Sequence, residues 1–129
     1  IASALAVKPK VLVMDEPTSN VDPIGKEEIF SVAYKLNREQ GMTVLMAEHE
    51  VEVMAAYAHQ VVIMHEGEIL INGSPEEVFS NVELIKSLGL RLPQVTEFAY
   101  QLDQLKGKKT MKTYPVTLEQ AEKTFASLF

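Results

Sequence analysis

The sequence predicts an α/β fold: a mostly parallel sheet, a β-hairpin and a helical C-terminal extension. Two apolar runs, residues 11–14 and 43–47, are too short for helices, and a segment with helical apolar spacing separates them. Two further strand-like runs flank Glu66-Gly67, and segments with helix-start signals come after them. Strand and helix in alternation favour parallel pairing, with helices laid against the sheet.

Ala2, Leu5 and Ala6 stand at helical spacing, so the chain opens on the end of a helix, stopped by Lys8-Pro9. Val11-Leu12-Val13-Met14 is apolar throughout, the signature of a strand buried on both faces. Asp15-Glu16-Pro17-Thr18-Ser19-Asn20 leaves it as a polar loop. Asp22 is placed to cap the next helix and Pro23 suits its first turn. Ile29, Val32, Ala33 and Leu36 form its apolar stripe, and Gly41 ends it. The second buried strand, 43–47, leads through Glu48-His49-Glu50 into a short helix carrying Val51, Met54 and Ala55.

Residues 61–65 and 68–71 read as a hairpin around Glu66-Gly67. Ser74-Pro75-Glu76-Glu77 starts another helix, with Ser74 as cap and acids in the first turn. Gly89-Leu90-Arg91-Leu92-Pro93 is linker-like. It leads to a helix with Val95, Phe98, Ala99, Leu102 and Leu105 on one face. After a basic loop, Thr117-Leu118-Glu119-Gln120 is a capping box for a last helix striped by Leu118, Ala121, Phe125 and Leu128. Two domains are expected, 1–88 and a helical extension at 89–129.

Composition narrows the function. The 129 residues are 47% hydrophobic, enough for a core and too many for a disordered chain. There is no cysteine, which excludes disulfides, thiol nucleophiles and thiolate metal sites. No apolar run approaches the ~20 residues of a membrane span. Residues 1–90 hold 14 acids against 6 bases, and residues 91–129 hold 4 acids against 6 bases. So acidic a front part is ill suited to duplex binding, which needs Lys and Arg on phosphates. The lysines at 106, 108, 109 and 112 lack interleaved aromatics and read as a solvated loop.

Chemistry concentrates at the strand ends. Asp15-Glu16 directly succeeds the first strand, and open parallel sheets bind ligands beyond their carboxyl ends. There Asp15 suits a hydrated Mg²⁺ and Glu16 suits orienting or deprotonating a water. Taken alone, the pair also fits two acids on a solvated loop. His49 closes the second strand as Asp15 closes the first. If the strands are neighbours, His49 and Glu16 emerge at one edge, where an imidazole can hydrogen-bond a phosphate. A surface histidine at a strand–helix junction fits the same position. His49-Glu50 does not continue as H-E-x-x-H, because residue 53 is Val53.

Leu12-Val13-Met14-Asp15-Glu16-Pro17-Thr18 with Ser19-Asn20-Val21-Asp22, and His49 beyond them, resembles the ABC-type ATPase family. The resemblance makes the first run a Walker B strand with its catalytic glutamate, Glu16. Ser19, Asn20, Val21 and Asp22 correspond to the D-loop at a dimer interface, and His49 to the switch histidine. Residues 1–6 resemble the helix after the signature motif, and residues 65–79 the closing hairpin and helix. The phrases at 88–96 and 114–119 resemble the C-terminal extension of energy-coupling-factor ATPases, which serve importers of cobalt, nickel and vitamins. Where the family commonly has Ser or Thr one or two residues before the histidine, this chain has Ala47-Glu48. No G-x-x-x-x-G-K-[ST] loop occurs, nor a Q-loop or signature motif; Gly25-Lys26 lacks the flanking residues.

The resemblance therefore implies the C-terminal part of a P-loop ABC ATPase domain. Its cofactors are ATP and Mg²⁺ in the intact subunit, with Asp15 holding the metal through water, and neither ligand is expected on these residues alone. Its partners are a second ATPase subunit, identical or paralogous, and transmembrane coupling and substrate-binding subunits, with no nucleic acid. Its location is the cytoplasmic face of the membrane. Two other classes remain open: a nontransport ABC-type ATPase, and a binding module whose tail self-associates.

Overall fold

A computed structural model describes Leu5 and residues 9–126. Strands β1 (Val11–Asp15) and β2 (Thr43–Ala47) pair in parallel and in register, Val11 opposite Thr43 and Asp15 opposite Ala47. Helix α1 (Pro23–Gln40) joins them, the crossover that a parallel pair requires. Pro23 takes its first position, where a missing N–H costs nothing. Asp22 stands at the cap, but its side chain accepts no capping hydrogen bond. Gly41 ends the helix at φ 64°, its N–H reaching the carbonyls of Leu36 and Asn37.

Two expectations about burial change here. Leu12 and Met14 enter a core with Ala33, Leu36 and Met42, against which Leu5, Val44 and Met46 pack. Val11, Val13 and Leu45 are exposed, so β1 is buried on one face instead of both. The reason is that α1 covers one side of the pair, and alternate side chains of a strand point to opposite sides. The inward face of α1 is Phe30, Ala33 and Leu36, while Val32 is exposed. The helix is turned toward Phe30, whose ring removes more apolar area from water than a valine does.

The chain divides into two compact units, between Val53 and Met54. Helix α2 (Val51–Tyr57) spans that division. In the second unit β3 (Val61–His65) and β4 (Glu68–Gly73) form the antiparallel hairpin. Glu66 and Gly67 lie at φ 50° and 83°. Positive φ at both central residues is the primed turn whose twist matches a hairpin. Ile63 opposes Ile71 but Met64 opposes Ile69, which leaves Leu70 as a bulge.

Helix α3 (Pro75–Phe79) packs on both strands and carries the expected capping box. Ser74 Oγ accepts from Glu77 N–H at 3.2 Å, and the Glu77 carboxylate accepts from Ser74 N–H at 2.9 Å. Gly73 leaves room for that carboxylate, since a Cβ there would stand 2.7 Å from Glu77 Oε2. Val78, Phe79, Val82 and Ile85 are buried around α4 (Val82–Ser87). Segment 89–93 lies inside this unit, and Tyr114 N–H donates to Ser80 Oγ at 2.8 Å.

The last two helices depart from their expected stripes. In α5 (Gln94–Leu105) Thr96, Ala99 and Asp103 are buried, while Phe98 and Leu105 are exposed. Polar anchors set this orientation. Thr96 Oγ1 donates to the Pro115 carbonyl at 2.7 Å. Asp103 accepts from the Thr110 N–H at 3.0 Å, the Thr110 hydroxyl and the Tyr114 hydroxyl. Phe98 instead meets Phe125 edge to face at 5.3 Å. In α6 (Leu118–Ala126) Ala121 is buried and Leu118 exposed. Its capping box is displaced: Gln120 N–H donates to Thr117 Oγ1, but Gln120 Oε1 accepts from Val116 N–H. Leu128 and the opening segment, apart from helical Leu5, lie outside the described residues.

Burial alone would raise the Asp103 pKa, but hydrogen bonds from Thr110 and Tyr114 outweigh it and hold the carboxyl below its usual range. Burial, then Asp103, pushes Tyr114 up to about 12. Asp103 thus contributes stability above the ordinary carboxylate pKa that is lost as pH falls through its lowered value. Tyr114 contributes stability below its ordinary pKa that is lost as pH rises toward about 12. Asp103→Ala orphans the buried Tyr114 hydroxyl and removes both bonds from the exposed Thr110, and denaturant unfolding should show a loss of about 2 kcal/mol at neutral pH. The difference from the parent chain should shrink in acid.

Candidate functional site

Parallel strands in register end level, so the loops that leave them emerge at one edge. Here the pairing continues one step past β1: Glu16 N–H donates to the Ala47 carbonyl at 2.9 Å. Glu16 then turns the chain at φ 40°, an uncommon left-handed conformation for a residue with a side chain. Ser19 N–H returns to the Glu16 carbonyl at 3.0 Å and Val21 N–H to the Thr18 carbonyl at 3.1 Å. Asn20, a residue that tolerates this region, takes φ 61°. Two tight turns thus fold residues 16–21 over the strand end.

Glu16 and His49 come together there. Glu16 Oε1 stands 3.9 Å from His49 Nδ1, and their side chains are 59% and 65% exposed. The Ser19 hydroxyl donates to Glu16 Oε2 at 3.1 Å and fixes the carboxylate from the other side. Asp15, exposed at the last position of β1, lies opposite Ala47. A carboxylate, an imidazole and a further acid at one sheet edge can orient a water, accept its proton and donate to an anion.

Beneath these exposed groups lies a buried one. The Glu48 side chain is 0% exposed. Its Oε1 accepts from the Thr18 N–H at 3.1 Å and from the Thr18 hydroxyl, and its Oε2 accepts from the His49 N–H at 3.0 Å. Thr18 is itself 1% exposed. Burial alone would raise the Glu48 pKa, yet the bonds from Thr18 and the His49 amide overcome it and hold the carboxyl below its usual range. Further along, Lys26 pairs with Glu50. Thr18 and Glu48 were not among the sequence candidates. The only trace was Glu48 standing where the family commonly carries a hydroxyl.

Among the described residues no group of three or more His, Asp or Glu is placed to hold a metal ion. Asp15 offers a single hard oxygen donor. That suits Mg²⁺, which keeps several waters and completes its shell with phosphate oxygens. Ser19, Asn20 and Asp22 are exposed on this loop and Val21 is half-buried. A Cβ at Gly25 would stand 2.5 Å from Val21 Cγ1 and 2.8 Å from Asp22 Oδ1.

No family model matches the chain. Curated proteins and solved structures do. The energy-coupling factor transporter ATP-binding protein EcfA1 of Caldanaerobacter subterraneus is 46% identical over 102 residues, 79% of this chain and 36% of that protein. EcfA2 of Bacillus licheniformis is 39% identical over 129 residues, 100% of this chain and 44% of that protein. Over the matched residues the chain is similar to ABC transporter ATP-binding proteins. CbiO1 of Clostridium perfringens, part of the CbiONQ ABC transporter complex, superposes with a TM-score of 0.57 at 38% identity. The match covers 73% of this chain and 38% of that one. The α/β architecture is thus that of part of an ABC ATPase domain, and the chain spans less than half the length of these relatives.

Gly25→Ala should leave α1 formed by circular dichroism, since alanine favours helix. It should nevertheless shift the amide resonances of Val21 and Asp22, while those of β2 stay in place.

Proposed function

We propose that this chain supplies the hydrolytic edge of an ATP-binding subunit in an energy-coupling-factor type importer. That subunit couples ATP hydrolysis to uptake of a metal ion or vitamin. The observation that carries the reading is the placement of Glu16 beside His49 at the end of an in-register parallel pair. The relatives named energy-coupling factor transporter ATP-binding proteins support it.

In this reading Glu16 orients a water and takes its proton, with Ser19 holding the carboxylate in place. His49 donates a hydrogen bond to the terminal phosphate. Asp15 holds Mg²⁺ through water, and the metal, when bound, offsets phosphate charge. Ser19, Asn20, Val21 and Asp22 face a second ATPase subunit, and transmembrane subunits receive the motion. The subunit sits at the cytoplasmic face of the membrane; no helix among the described residues is long and apolar enough to cross one. The 129 residues contain no G-x-x-x-x-G-K-[ST] loop, so turnover is expected only where such a loop completes the site.

Glu16→Gln in the ATP-binding subunit that carries this segment is the test. Steady-state turnover should fall by about 10²–10⁴-fold, the usual worth of a positioned base. ATP affinity by equilibrium titration should stay within a few-fold. Turnover near that of the parent would contradict the assignment.

A further inference from the structure

We propose that Glu48 is a positioning residue, a buried clamp that fixes His49 relative to Glu16 by binding the backbones of both loops. The proposal rests on the proposed hydrolytic role of Glu16 and His49 for its consequence, but its geometry stands by itself. Glu16 and His49 are more than half exposed, so their own packing does not fix their separation. The strand ladder aligns the two segments only as far as the bond from Glu16 to Ala47. Beyond it the chain turns away on both sides.

Glu48 bridges that gap. One oxygen holds Thr18, two residues after Glu16, through both its N–H and its hydroxyl. The other holds the N–H of His49. Thr18 lies 30 residues before Glu48 in sequence, and the carboxylate that joins the two segments is closed off from water. A buried carboxylate keeps its charge only where donors replace its hydration, and here three hydrogen bonds do so, with the His49 ring nitrogen Nδ1 a further 3.7 Å from Oε2. Such a group constrains direction as well as distance, because each donor must point at its own oxygen. Thr18 is correspondingly the buried member of an otherwise exposed or half-buried loop.

Glutamine tests this at constant shape. Its amide has one accepting oxygen, so it cannot accept from both Thr18 N–H and His49 N–H through separate oxygens. In the 129-residue chain, Glu48→Gln should speed hydrogen exchange at the Thr18 or the His49 amide by at least 10-fold relative to amides within β1 and β2. Glu48→Ala should speed both. In the ATP-binding subunit carrying this segment, kcat should fall in the order parent, Gln, Ala, with the KM for ATP within about 3-fold; partial retention by Gln marks loss of alignment rather than loss of fold. Uniform acceleration across the chain, or unchanged exchange at both amides, would overturn the clamp. The exchange result decides it even if Glu16→Gln were to leave turnover intact, an outcome that would overturn only the functional reading.

Discussion

Two parallel strands that end level are the constraint on which the site depends. Asp15 lies opposite Ala47, and the next amide, that of Glu16, bonds the Ala47 carbonyl at 2.9 Å. A slip of one residue would exchange the two faces of the strand, moving Leu12 and Met14 out of the core and Val11 and Val13 into it. The core of Leu12, Met14, Ala33, Leu36 and Met42 therefore sets register, and register sets which residues leave the sheet side by side. Packing at one end of the strands in this way governs chemistry at the other.

Buried carboxylates then do for loops what the ladder does for strands. In the first unit Glu48 gathers Thr18 and the His49 amide; in the second Asp103 gathers Thr110 and Tyr114. Both acids are closed off from water, both accept several hydrogen bonds, and both are held below the usual carboxylate range. None of these hydrogen bonds comes from a lysine or arginine. Each lock is closed across the neutral range and weakens as acid protonates it, and the second weakens also as base ionises Tyr114.

Local signals in the sequence reached the elements well. Residues 11–14 and 43–47 are strands, Gly41 is the helix stop, Glu66-Gly67 is the turn, and Ser74 with Glu77 is the capping box. Each depends on neighbours a few residues away. Faces were harder to read. Apolar spacing picked out Phe98 and Leu105 on α5, whereas hydrogen bonds by Thr96 and Asp103 to residues 110–115 rotate them outward. At the sheet edge, the placement of Asp15, Glu16 and His49 was legible because each ends or closely follows a strand and the two strands pair. Thr18 and Glu48 were not, since a contact across 30 residues leaves no local pattern.

Strand register delivers Glu16 and His49 to one another, and this proximity is directly measurable. An isotope-edited nuclear Overhauser measurement between the His49 ring protons and the Glu16 side-chain methylenes reads it in solution. Cross-peaks linking the two residues, present in the parent chain at neutral pH, are the expected result. Their absence, with the Thr43 to Ala47 ladder intact by amide connectivities, would contradict it.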